Sequence, residues 1–577
     1  MNIYFEMRRS LVALIIVLFT ISADAQIANR YEIVIDEIMA DPTPQISLPN
    51  NEWIELKNIS ANPINLQNWR IGDATGQSGP MPNFVLQPDS FVIVCTGSAV
   101  AAMQVYGRVI SVTSFPSLDN DGDELYLKSN TGLTVHAISY SLSWYQNAVK
   151  SDGGWTLEMI DTKNPCSGIS NWKASTDPKG GSPGIKNSVD AVNNDQSAPS
   201  IKNAYAIDNL NIVIVFDEPA DSLKGATIAN YSIDGGLGIQ SAISISPLFD
   251  KVQLKLATAM QANKVYNITV NNVTDCKNNS IGSKNKVRVG LPVDAALAEI
   301  VINEILFNPK SGGYDYVEFY NRSNKILDAN KLYVANRNSS GVISSTKLIS
   351  IIPYYVFPGD YIVVTEDAIN LSLDYMVQNP DAVFVVSSLP SFPDDEGDVI
   401  LLNSQGAVVD EVKYKDDWQF ALLADPNGVS LERIDPDGVS QEATNWHSAA
   451  STAGFGTPTY KNSQYKLLQS INATVEITPK VFSPDNDGRD DIATIQYKTT
   501  EPGYVANITI YDANGRPVRN LVKNATLGLQ GYWIWDGLDD KKLKLPVGTY
   551  ILFTELYNLN GKKEIFKNVV VLARQLN

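Results

Sequence analysis

The sequence predicts an all-β chain of four tandem Ig-like antiparallel β-sandwiches following a signal peptide, and three observations carry that expectation. Six sequence blocks recur in the same order in two parts of the chain. Short apolar runs alternate at period two and are bounded by turn residues such as Gln87-Pro88-Asp89 and Phe357-Pro358-Gly359-Asp360. No stretch shows convincing helical periodicity, and many short strands with regular turns point to sandwiches.

The first segment reads as an address. Arg8 and Arg9 give a positive start, Leu11 to Ile21 form an apolar stretch too short to cross a bilayer, and Ala23-Asp24-Ala25 is a small-residue cleavage site. The expectation is a signal peptide over residues 1–25 and an exported mature chain. No Cys follows the apolar stretch, so a lipid anchor there is not indicated. No later run is long enough for a transmembrane helix.

A length of 577 residues gives about four domains. With 44% hydrophobic and 19% charged residues, the composition is that of an ordinary globular chain. Two His and three Cys exclude zinc fingers and Cys-rich scaffolds, which need clustered ligands. The net charge of −18 repels phosphate backbones and argues against nucleic acid as a general partner. Cys95 lies in the apolar run Phe91-Val92-Ile93-Val94-Cys95 and reads as a buried small hydrophobe. The pairing of Cys166 and Cys276 is left open.

The duplication organises the chain. Glu32 to Ile38 returns as Glu299 to Ile305, Glu52 to Asn58 as Asp315 to Asn321, and Asp119-Asn120-Asp121-Gly122-Asp123 as Asp394 to Asp398. Trp155 to Glu158 matches Val429 to Glu432, Asn171-Trp172 matches Asn445-Trp446, and Ser182 to Ser188 matches Thr457 to Ser463. The two copies are assigned to residues 26–190 and 295–465. In the first, Ile54 and Leu56 alternate with Trp53, Glu55 and Lys57, which predicts one buried face and one mixed outer face.

Both copies resemble the lamin tail domain, an immunoglobulin-like sandwich that also occurs in exported bacterial proteins. The matching residues are Ile35 to Pro42, Asn51 to Asn58, Ile64 to Trp69 and the Gly-Asp turn before Leu125-Tyr126-Leu127. The second copy departs from the pattern by placing Tyr316 where Trp53 stands and Leu332-Tyr333-Val334 in the Trp69 region. Residues 197–292, with Ile212 to Pro219 and the alternating runs Val252 to Leu256 and Tyr266 to Asp275, resemble the bacterial Ig-like spacer domains of surface-layer and adhesin proteins. Residues 473–577 carry Val481 to Asp491, Ile508 to Val518, Trp535-Asp536-Gly537 and Leu545 to Tyr550. They resemble the Ig-like domains of flagellar hook-cap proteins and the C-terminal sorting domains of type IX secretion in Bacteroidetes. That resemblance implies an export tag and surface-attachment signal that engages export machinery.

Chemistry has few places to reside. Asp485, Asp487, Asp490 and Asp491 surround a Gly-permitted turn, an arrangement that can point several oxygens at one calcium ion. The alternative is an Asp-Gly turn whose carboxylates cap backbone amides. The other two acidic turns read as hairpin turns of the repeated fold. Glu37 with Glu55, and Glu304 with Glu318, could be an acid and a base or nucleophile as in glycosidases. Duplicated architecture accounts for their recurrence without catalysis, so no catalytic residue is assigned. His136 and His447 occupy non-equivalent places, and no nucleophile-elbow, zincin or phosphate-loop motif is present. Trp144-Tyr145 and Trp533-Ile534-Trp535 would stack on a sugar if exposed, but fit core packing of sandwiches better.

The functional expectation is a non-catalytic exported protein for adhesion, scaffolding or matrix interaction, with cell-surface or matrix protein or polysaccharide as partner and calcium as the one candidate cofactor. The alternatives are a polysaccharide- or DNA-binding accessory module serving a separate enzyme, and a hydrolase with an unrecognised site.

Overall fold

The computed structural model describes residues 28–421, 423, 425–465, 473–485, 489–499, 501–558 and 563–574. The segment 1–25, expected to be a signal peptide, and Asp487 lie outside the described residues. Two compact units divide the chain: Met1–Ala259 with Asn267–Arg288, and Met260–Tyr266 with Val289–Asn577.

In the first unit, a six-stranded sheet runs in the order Trp172–Ala174, Leu157–Met159, Ile33–Met39, Trp53–Asn58, Phe91–Cys95, Val109–Ser111. Its inner face, with Ile35, Ile54, Leu56, Val92 and Val94, packs on Leu125, Leu127 and Ile138 of a three-stranded sheet. The expected mixed outer face is not open. Every residue of Ile33–Met39 and Trp53–Asn58 is buried. Met39, Trp53, Ile93 and Cys95 form a second apolar cluster with Ala99 and Met103. The cover comes from distant sequence, which strand periodicity does not register.

Four further strands, in the order Ile201–Ala206, Asn211–Phe216, Lys251–Leu256 and Ile239–Ile245, make the larger sheet of a second sandwich in this unit. The smaller sheet is Tyr231–Ile233, Tyr266–Val270, Lys286–Val289.

The second unit repeats the first sheet as Val383–Val385, Tyr361–Thr365, Tyr316–Asn321, Ile300–Leu306, Leu431–Arg433, Trp446–Ser448. Its core joins Ile302, Val317, Phe319 and Val364 to Val399, Leu401 and Val412 of a four-stranded partner. In each copy one edge pair is parallel, Ile93 with Val109 and Val363 with Val383. The crossovers contain the short helices Val100–Met103 and Ala368–Asp374. Neither exceeds about two turns, so neither leaves a repeating apolar stripe in the sequence.

The remaining strands form a three-stranded sheet, Thr474–Thr478, Ala493–Lys498, Gln530–Trp535, and a five-stranded sheet that includes Tyr504–Asp512, Gly548–Asn558 and Lys563–Leu572. Ile508, Ile510, Leu552, Leu556 and Val570 meet Ile495, Tyr497 and Trp535 in the core. Asn514-Gly515 turns one hairpin here, Gly515 taking φ +77° and Asp512 Oδ1 accepting from the Asn514 and Arg516 amides.

Candidate functional site

Three glutamates lie abreast on neighbouring strands of each tail-like sheet. Glu37 faces Glu55 on one side and Glu158 on the other. Glu304 likewise faces Glu318 and Glu432. All six are fully buried. What covers them is the sixth repeated block, which crosses the row as a strap. The Ser182 amide donates to Glu37 Oε1 (2.7 Å) and the Gly184 amide to Glu55 Oε2 (2.5 Å). Ser182 Oγ, Ser188 Oγ and the Val189 amide donate to Glu158. Asn187 Nδ2 ties the strap to the Asp36 and Met159 carbonyls. The Gly residues are needed for the close approach: a Cβ on Gly181 would lie 2.8 Å from Glu37 Oε1, and Gly184 has φ +81° against the Tyr106 carbonyl.

In the second copy the Thr457 amide reaches Glu304 (2.9 Å), the Thr459 amide reaches Glu318 (2.6 Å), and Ser463 Oγ with the Gln464 amide holds Glu432. Burial, reinforced by the neighbouring carboxylates, pushes Glu37, Glu55 and Glu318 well above the usual carboxylate range and Glu432 to about 8. Perturbed carboxylates of this kind mark active sites when they face a cleft. Here the chain itself supplies the donors and seals the face, so the pairs clamp the strap to the sheet.

The strand carrying Glu37 is bulged between Ile35 and Glu37, and the equivalent irregularity falls between Ile302 and Glu304. A buried amide at such a bulge needs an acceptor. In the first copy the Ile35 amide donates to His136 Nδ1 (2.9 Å), while His136 Nε2–H donates to the Pro165 carbonyl (3.2 Å). In the second copy the Ile302 amide donates to Asp410 Oδ2 (2.8 Å), which is paired with Arg433 (3.0 Å). Burial lowers His136 from 6.5 to about 4. A depressed folded value means that the unfolded chain takes up the proton first. This contribution, roughly 3 kcal/mol, is fully present above about pH 6.5 and lost as pH falls toward about 4. His136→Asn keeps an acceptor but does not titrate. Hydrogen exchange over Ile33–Met39 should show equal protection at neutral pH and less acid loss in the variant than in the wild type.

Within the first unit, Cys166 is joined to Cys276 by a disulfide across 110 residues of sequence. Beside it, carboxylate oxygens of Asp195, Glu218 and Asp275 lie within 4.8 Å of one another. Asp195 accepts from Ser167 Oγ (2.8 Å), and Asp275 from the Lys277 and Asn279 amides. Burial and then the neighbouring Asp195 and Asp275 push Glu218 up to about 8. Arg30 crosses from the tail-like sandwich to donate to the Ala220 and Leu248 carbonyls and stacks on Phe249 at 4.2 Å.

Of the residues singled out from sequence, Asp485 Oδ2 accepts from Ser483 Oγ (2.9 Å), and the Asp490 carbonyl accepts from the Ser483 amide (2.8 Å). Asp487 is outside the described residues. The turns at Asp119–Asp123 and Asp394–Asp398 lead into the strands Gly122–Lys128 and Glu396–Asn403 and close no hairpin, because the preceding strand belongs to the other sheet. Cys95 is buried, which raises its thiol to about 11. Trp144, Tyr145 and Trp535 are buried, and Trp144 packs on Trp172 at 6.0 Å. The strap and the Asp195–Glu218–Asp275 trio were not assigned from sequence. The recurrence of Ser182 to Ser188 as Thr457 to Ser463 signalled the strap, whereas nothing in the spacing signalled the trio.

The model of the Lamin Tail Domain family matches residues 26–141 and 294–416, so the chain carries two Ig-like tail-domain regions. No curated protein matches the chain. Among solved structures it is similar to the N-terminal part of the bacterial S-layer protein SbsC, at 17% identity over 29% of this chain and 40% of that one, with a TM-score of 0.16. A tetra-tandem repeat from the extending region of a large adhesion protein matches at 12% identity over 94% of this chain and 99% of that one, with a TM-score of 0.14. A DUF4876 family protein from Bacteroides thetaiotaomicron matches at 13% identity over 36% and 85%, with a TM-score of 0.16. The chain spans between 40% and 55% of the length of the first three surface-layer structures.

Proposed function

We propose that the protein is exported and works at the outer cell surface, or after release, as a non-catalytic multidomain scaffold for adhesion or matrix contact. The observation that carries this reading is the Cys166–Cys276 disulfide, because a bridge between two sandwiches forms and persists in an oxidising compartment. The sealed glutamate rows support the non-catalytic part, since their carboxylates are occupied by strap donors. The C-terminal sandwich serves as the sorting and attachment signal through the export machinery. Calcium at Asp485, Asp487, Asp490 and Asp491 belongs to the same proposal, as does a protein or polysaccharide partner.

Fractionation of cells carrying the full chain or a truncation before Ala473 tests it. The full chain is expected in the surface or medium fraction and the truncation inside the cell envelope. A truncated chain at the surface would sink the sorting role, and a cytoplasmic full chain would sink export. Adding chelator to protease-treated surface fractions should speed cleavage of the C-terminal sandwich, and an unchanged rate removes calcium.

A further inference from the structure

The two glutamate rows differ in what their oxygens meet. Glu304 is saturated: Oε1 accepts from Ser430 Oγ, the Tyr316 hydroxyl and the Thr457 amide, and Oε2 from Thr457 Oγ1. Glu318 accepts from Asn303 Nδ2 (2.8 Å) and from the Thr459 amide. In the first copy Asp36 in place of Asn303 removes the donor to Glu55 Oε1, and Ser182 Oγ turns to Glu158 where Thr457 Oγ1 reaches Glu304 Oε2; Trp53, in place of Tyr316, keeps a buried Nε1–H that meets no acceptor. The result is two orphaned oxygens. Glu37 Oε2 and Glu55 Oε1 are buried and meet no donor, although Glu37 Oε1 and Glu55 Oε2 are held by the strap.

These two side chains are cross-strand partners on the same face of the sheet. Two buried acceptor-only groups side by side are costly, whereas one proton between them converts an orphaned pair into an O–H···O hydrogen bond. We infer that Glu37 and Glu55 share a single proton at neutral pH, and that its departure at alkaline pH releases the strap formed by residues 181–189.

The surroundings favour the proton residing on this pair. Glu158, the third member of the row, has both oxygens satisfied by Ser182 Oγ, Ser188 Oγ and the Val189 amide, and it faces Lys173 on the next strand. Lys150 also feels Glu158. Asp36 on the same strand, with its own Oδ1 orphaned, is pushed up by burial to about 7, with Lys57 opposing that shift and Glu158, Asp190 and Asp89 adding to it. Lys186 in the strap is engaged by Asp190 (2.6 Å). From the facing sheet, His136 is an acceptor for the Ile35 amide and brings no positive charge. No cation is thus paired with Glu37 or Glu55 among the described residues. Burial pushes both carboxyls up, reinforced by Glu158 at Glu37 and by Glu37 at Glu55. The direction follows: a raised folded value contributes stability that is complete below the unfolded value and lost as pH rises through the folded one.

Hydrogen exchange of the strap in the full chain, corrected for intrinsic rate, tests the inference between neutral pH and about pH 10. Wild-type protection over the strap should fall at least about tenfold across that range. In Glu55→Gln the amide can donate to Glu37 Oε2 while its carbonyl accepts from Gly184, which reproduces the shared proton without a titration. That variant should keep its protection at both ends. Flat wild-type protection, or a Glu55→Gln strap already open at neutral pH, overturns the inference. Should the variant not accumulate, the wild type decides alone: flat strap protection between neutral pH and about pH 10 overturns the proposal.

Discussion

Replacing Cys166 and Cys276 together by serine is expected to cost the first unit more than any single surface change. The bridge closes 110 residues of sequence, and a loop of that size corresponds to roughly 4–5 kcal/mol of unfolded-state restriction. Among the described residues, the noncovalent contacts left at this junction include two guanidinium hydrogen bonds from Arg30, its stacking on Phe249, the Lys277 ammonium on the Lys163 carbonyl (3.0 Å), and Asp195 between Ser167 Oγ (2.8 Å) and Asn279 Nδ2 (3.4 Å). Against them stand Asp195, Glu218 and Asp275, whose mutual repulsion grows as Glu218 ionises. Its folded value of about 8 lies above the ordinary 4.5, so its contribution is complete below about 4.5 and lost as pH rises through 8. The double serine variant should therefore show faster cleavage between Asp195 and Ser200 than the wild type, and more so at pH 9 than at about pH 6. Equal cleavage of variant and wild type would show that the disulfide is not what holds the junction.

Arg433→Met is expected to be the most damaging single substitution in the second unit. The guanidinium is fully buried, donates to the Ile302 carbonyl (2.7 Å), to Asp410 Oδ2 (3.0 Å) and to Ser440 Oγ (2.8 Å), and lies over Trp446 at 5.1 Å. Burial lowers it to about 10, and Asp410 opposes that shift. Removing it leaves Asp410 charged in the interior with only the Ile302 amide and Ser440 Oγ as donors. Loss of one member of such a pair costs about 3–5 kcal/mol. Arg433→Lys should recover little, because one ammonium cannot span the four acceptors that the planar fork reaches, the Gly438 carbonyl (3.3 Å) being the fourth. Hydrogen exchange over Ile300–Leu306 reads the effect directly, and wild-type protection in Arg433→Met would refute it.

The parts legible in the sequence were those in which like residues do like work in both copies. Four of the six repeated blocks supply the rows and their strap: Glu37 and Glu304, Glu55 and Glu318, Glu158 and Glu432, Ser182 and Thr457. Their recurrence is a packing requirement, since each glutamate needs the strap donors and the strap needs each glutamate. The covering of the outer face was not legible, because the Ser182 amide reaches Glu37 across 145 residues. Nor was the bulge acceptor. His136 and the Asp410–Arg433 pair serve equivalent amides with unlike chemistry, so no repeat signal connects them. The disulfide and the Asp195–Glu218–Asp275 trio join segments whose spacing obeys no motif.

The glutamate rows are closed clamps, with the strap a fixed part of the sheet at neutral pH. Amide exchange of Ser182, Gly184, Thr457 and Thr459 in the full chain at neutral pH tests it most directly, because these four amides are the donors to the rows. Exchange as slow as that of the core strand amides is the predicted result. Exchange at the rate of exposed turns such as Asn514-Gly515 would mean that the rows open to solvent, and the clamp would be contradicted.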